Sequence, residues 1–109
     1  MFRYFRLSAF FLALAALPPL VAAAAQFVVE QKGMAFSTAT LKVKVGDSVT
    51  FKNADTLSHN IFSISDAKTF DLGAIATGQS KDVIFDKPGT VEVECAIHPS
   101  MKMTIEVGK

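Results

Sequence analysis

Residues 41–45 (LKVKV) alternate apolar and charged side chains, and this period of two recurs along the chain. A strand with one dry and one wet face has that period, whereas a helix repeats every 3.6 residues. Segment 49–53 (VTFKN) alternates again, and 26–30 (QFVVE), 59–65 (HNIFSIS), 81–85 (KDVIF) and 103–107 (MTIEV) are expected to be further short strands. Val91, Val93 and Cys95 are predicted to point one way, and Thr90, Glu92 and Glu94 the other. Gly46-Asp47, Gly78 and Lys87-Pro88-Gly89 punctuate these runs as turns. No segment shows helical periodicity over three turns, and 69–77 is expected to hold one short turn at most. Short strands joined by turns define an all-β domain, an antiparallel sandwich or barrel.

The first 25 residues are a different object. Arg3 and Arg6 precede an apolar run at 7–17 (LSAFFLALAAL), which Pro18 and Pro19 end, and 21–25 (VAAAA) offers small residues for cleavage. This is the order of a secretory signal peptide, and the run is shorter than the roughly 20 apolar residues of a membrane span. The expected division is a signal over 1–25, cut after Ala25 or Ala24, and one domain over 26–109. The destination is periplasmic or secreted, with no membrane attachment after cleavage.

With the signal removed, nine lysines face ten acids, no arginine remains, and the large aromatics are six phenylalanines. No basic patch stands out, so nucleic acid is not an expected partner. A domain of this size has no room for a deep substrate cleft, and it is not expected to be an enzyme. Cys95 is the one cysteine in the chain, which rules out an internal disulfide. A lone thiol in an oxidising compartment is open to oxidation unless it is buried or bound.

The chemistry-bearing residues are few. His59 and His98 are the only histidines; Met101 and Met103 lie within eight residues of Cys95. Cys95 ends a strand on its inward side, and His98 and Met101 follow at steps of three in a loop. His59 begins an earlier strand, and ends of non-sequential strands meet at one pole of a sandwich. A thiolate, two imidazoles and a thioether gathered there form the donor set of an electron-transfer copper site, with methionine as the weak axial ligand. Spacing allows Met101 (C-x₂-H-x₂-M) or Met103 (C-x₂-H-x₄-M). Met103 shares an apolar strand face with Ile105 and Val107, so Met101 is the expected ligand and Met103 the alternative. Zinc prefers four strong ligands, which this set does not supply. A Cys–His nucleophile would need an orienting group and an oxyanion pocket, and neither is suggested.

At these residues the chain resembles the cupredoxins, the small blue copper proteins that include plastocyanin, pseudoazurin and amicyanin. The resemblance runs through Phe36, Leu41-x-Val43, Gly46-Asp47-x-Val49-x-Phe51-x-Asn53, His59-Asn60 and Thr90-Val91-x-Val93-x-Cys95-x-x-His98-Pro99-x-Met101. The stretch Phe70-Asp71-Leu72-Gly73 and the loop Ile97-His98-Pro99 are more similar to the small plastocyanin-like methylamine-utilisation proteins. The resemblance implies a Greek-key β-sandwich of about seven or eight strands holding one copper ion that cycles between Cu(I) and Cu(II). It implies a monomer that shuttles one electron between redox proteins. Those partners would dock transiently on an apolar patch around His98 formed by Ala96, Ile97, Pro99 and Met101. It also implies that Asn60 aims its N–H at the Cys95 sulfur and ties the two ligand loops with its side chain. The alternative function is a copper carrier or storage protein that exchanges the metal, to which an extra thioether at Met34 would contribute.

Overall fold

The computed structural model describes residues 16–17 and 23–109. Most of the expected signal at 1–25 therefore lies outside the described residues. Nine strands follow: β1 (Gln26–Lys32), β2 (Ala35–Phe36), β3 (Thr40–Lys44), β4 (Ser48–Asn53), β5 (His59–Ser65), β6 (Lys68–Ile75), β7 (Ser80–Ile84), β8 (Gly89–Cys95) and β9 (Lys102–Gly108). They form two sheets, ordered β2-β1-β4-β7 and β3-β9-β8-β5-β6.

The alternating segments bury the faces their pattern assigns. Val29, Val49, Phe51 and Val83 point in from the first sheet; Val43, Ile61, Val91, Val93, Ile105 and Val107 point in from the second. Phe85, Ile75, Cys95, Met101 and Met103 complete this core. Phe70 joins it from the side, with its ring 6.1 Å from Phe51 and 6.4 Å from Phe85. The Lys87-Pro88-Gly89 turn has a steric cause for its glycine: Gly89 has φ +143°, and a Cβ there would lie 2.7 Å from that of Ala67.

Two expectations are corrected. The sheets are mixed, because β1 pairs parallel with β4 and β3 pairs parallel with β9. In both cases the chain leaves for the opposite sheet before returning beside an earlier strand, and that detour restores its direction. Residues 69–77 hold no helical turn; β6 is a strand, and with two-residue β2 it raises the count to nine. Asp71 and Gly73 are poor strand formers, and a register break between Asn60 and Phe62 in the β5–β6 ladder spoils the period of two.

Pairing already includes Ala25. Its N–H donates to Asp47 Oδ1 at 2.8 Å, and its carbonyl accepts the Ser48 N–H at 3.0 Å. The same carboxylate accepts the Lys44 N–H at 2.8 Å; this bond first, then the Ala25 N–H, holds the Asp47 carboxyl below the usual carboxylate range.

Candidate metal centre

Antiparallel pairing of β5 with β8 sets Ile61 opposite Cys95, so His59 at the start of β5 and Cys95 at the end of β8 reach the same pole. The segment 96–101 then closes over them. Its first N–H, from Ala96, donates to the Asn60 carbonyl at 2.9 Å. Met101 donates to the His98 carbonyl at 2.9 Å, and its own carbonyl accepts the Cys95 N–H at 3.3 Å. These bonds fold the loop back so that His98 faces His59.

The outcome is a triangle of donor atoms. His59 Nδ1 lies 3.6 Å from Cys95 Sγ, His98 Nδ1 lies 3.9 Å from Cys95 Sγ, and the two Nδ1 atoms are 3.2 Å apart. His59 and Cys95 are buried, whereas His98 is half-buried. Atoms at these separations fit around one ion with metal–nitrogen bonds near ~2.0 Å and a metal–sulfur bond near ~2.3 Å. No carboxylate belongs to the group. Two imidazoles and a thiolate suit a borderline or soft ion and not calcium or magnesium.

Asp55 is a residue that the sequence reading missed. Its Oδ2 lies 2.9 Å from His59 Nε2 and accepts the Met34 N–H at 3.0 Å. The His59 Nε2 proton therefore belongs to this bond, which leaves the Nδ1 lone pair for the interior of the triangle. Chiefly the Met34 N–H, and next the His59 ring, hold the Asp55 carboxyl down to about 2. Met34 presents that N–H from a left-handed backbone conformation, φ +55°. The one sequence signal is an Asp four residues before a His, and on a loop that spacing implies no shared face.

Asn53, buried beneath the loop 54–58, fastens it. Its side-chain Nδ2 donates to the carbonyls of Leu57 and Ile75, each at 2.8 Å, and its Oδ1 accepts the Asp55 N–H at 2.8 Å. The Asn60 N–H lies on Cys95 Sγ at 3.4 Å. Its side chain does not tie the two loops. The backbone carbonyl makes that link to Ala96, and the side-chain amide turns instead toward Asp71 Oδ1 (2.9 Å) and the Gly73 carbonyl (3.2 Å).

Met101 and Met103 are both buried. Met103 pairs with Val93 within the β8–β9 ladder, while Met101 precedes β9 in the closing loop. Burial also removes Met101 from the rim around His98. Ala96, Ile97 and Pro99 are exposed there, and Leu57 and Met34, 49% and 51% exposed, lie at the same end of the sandwich.

A two-sheet β-sandwich with a buried thiol and two imidazoles at one pole defines a small metal-binding β-domain, with this one cluster among the described residues. The family described as copper binding proteins, plastocyanin/azurin family, matches residues 23–108. The methylamine utilization protein MauL of Methylorubrum extorquens is 34% identical over 89 residues, which are 81% of this chain and 78% of that protein. An amicyanin variant solved with Cu(I) superimposes with a TM-score of 0.70 at 27% identity, over 75% of this chain and 81% of the other. The copper-containing nitrite reductase of Thermus scotoductus superimposes with a TM-score of 0.72 at 27% identity, over 77% of this chain but 22% of that one. The chain belongs to the plastocyanin/azurin family of copper-binding proteins, and its cofactor is copper.

Proposed function

We propose that this chain is an exported, monomeric one-electron carrier, in which His59 Nδ1, Cys95 Sγ and His98 Nδ1 are the strong copper ligands and Met101 the weak axial one. Bound there, copper supplies a one-electron couple between Cu(II) and Cu(I). The observation that carries the reading is the triangle of three donor atoms, with only the half-buried His98 set toward solvent. A His98 edge rimmed by Ala96, Ile97 and Pro99 lets a redox partner approach without desolvating charge. A small uncharged contact also releases quickly, as a shuttle requires. Cys95 donates strongly from the end of β8, where the backbone bonds of the closing loop leave little to rearrange when the charge changes. Asp55 keeps the His59 ring oriented. Met101 favours Cu(I) as a thioether. Met103 is a core residue in this reading.

Export is supported by the leader at 1–25, and the two backbone bonds of Ala25 favour cleavage after Ala24. Cleavage there would retain Ala25 as an α-amino group beside Asp47. A second reading, a carrier that hands over the metal itself, is favoured by the exposed Met34 thioether.

The test is a visible spectrum of the protein loaded with Cu(II). An intense thiolate-to-copper band is expected, absent in Cys95→Ser although that variant folds. A colourless wild-type protein with its thiol intact would overturn the ligand assignment. Transfer of copper to an acceptor protein, by a protein unable to cycle between oxidation states, would favour the metal carrier.

A further inference from the structure

The stretch Phe70-Asp71-Leu72-Gly73 supplies no metal-ligand atom, yet it carries a register break in the ladder beside the site. Asn60 pairs with Ala74 and Phe62 with Asp71, so one residue of β5, Ile61, faces two of β6, Leu72 and Gly73. This is a β-bulge, a feature that re-aims side chains and concentrates near functional sites. Gly73 accommodates it with φ +67°, in the left-handed region that favours glycine.

The bulge turns its polar groups toward one neighbour. Asp71 Oδ1 accepts the Gly73 N–H at 2.8 Å. The same oxygen is 2.9 Å, and the Gly73 carbonyl 3.2 Å, from the Asn60 side-chain nitrogen in the amide orientation that satisfies both ends. The main chain of Asn60 meanwhile serves the metal centre, with its N–H on Cys95 Sγ and its carbonyl on the Ala96 N–H. Three elements therefore converge on one residue: β6 holds its side chain, β8 receives its N–H, and the closing loop receives its carbonyl.

We propose that the β6 bulge is a positioning device for the copper thiolate: Asp71 and Gly73 fix Asn60 so that its N–H stays on Cys95 Sγ. The inference rests on the copper reading above. An N–H donor on the sulfur withdraws electron density that would otherwise stabilise Cu(II), so the hydrogen bond favours Cu(I). The negative charge of Asp71 acts the other way. Two neutral variants separate these effects. Asp71→Asn removes the charge but keeps the side-chain oxygen that Asn60 and Gly73 use. Asp71→Ala removes both. Asp71 is exposed, so neither substitution disturbs the core.

Two measurements decide it. At a fixed redox poise, Asp71→Ala should hold a Cu(II)/Cu(I) ratio at least about threefold above that of Asp71→Asn, the loss of part of one hydrogen bond to a charged group. In the metal-free protein, the Asn60 amide should exchange with solvent at least about tenfold faster in Asp71→Ala than in wild type or Asp71→Asn. Equal exchange of that amide in all three proteins overturns the inference. A wild-type chain without a thiolate-to-copper band overturns the copper reading instead, and the metal-free exchange then still decides the role of the bulge.

Discussion

Asn53→Ala tests whether the loop carrying Asp55 toward His59 is held by one buried amide. The substitution removes three side-chain hydrogen bonds of 2.8 Å each, to Leu57, Ile75 and Asp55. At about 1 kcal/mol net for each bond, the loss comes to ~3 kcal/mol. The backbone bonds of Asn53 to Gln79 and Gly78 remain, so the register of β4 should survive. The assay is urea unfolding of the metal-free protein followed by far-UV circular dichroism, since the chain has no Trp and its single tyrosine is Tyr4. If the loop unfolds only with the whole domain, the midpoint should fall by at least ~1 M. If it comes loose by itself, the midpoint holds and copper must order it on binding, which lowers copper affinity by up to about a hundredfold. A variant within ~1 kcal/mol of wild type and with unchanged copper affinity would refute the reasoning.

Met101→Leu should raise the reduction potential and change the visible spectrum. Met103→Leu should leave both alone and cost under ~1.5 kcal/mol, as a volume-conserving core swap; the reverse pattern would reassign the axial ligand. Ile97→Lys or Pro99→Lys should slow electron exchange with a redox partner while copper affinity stays nearly constant; unaltered exchange rates would remove the docking patch. Because folding lowers the Asp55 carboxyl from 3.8 to about 2, its contribution to stability is present above pH 3.8 and is lost as the pH falls through 2. The thermal midpoint of the metal-free protein should therefore drop more steeply across that window than that of Asp55→Asn, and superimposable curves would contradict the pairing.

Strands that bury one face were legible because their alternation is imposed by the core itself. Val91, Val93 and Cys95 are buried while Thr90 and Glu92 are exposed, as their order in the sequence implies. The meeting of His59, Cys95 and His98 was legible too, since those residue types are so scarce in this chain. Pairing was not. Parallel contact of β1 with β4 depends on where the chain goes between them, and local pattern carries no record of a detour. β6 was hidden because its bulge at Leu72 and Gly73 breaks the period of two by which a strand is recognised. Asp55 was hidden because loop geometry, unlike helix or strand geometry, gives residues four apart no fixed relation.

β9 lies in the interior of its sheet, between β3 and β8, although it is the last strand in the sequence. Until it arrives, β3 has no partner and β8 has one open edge, so the second sheet cannot close on a growing chain. Cys95, His98 and Met101 all precede β9 by a few residues and are placed by the bonds that lead into it. β9 is thus the piece that joins β3 to the β8-β5-β6 part of its sheet. Fraying of β9 would therefore open the copper pole and the second sheet together, which ties the stability of the site to the pairing of one strand.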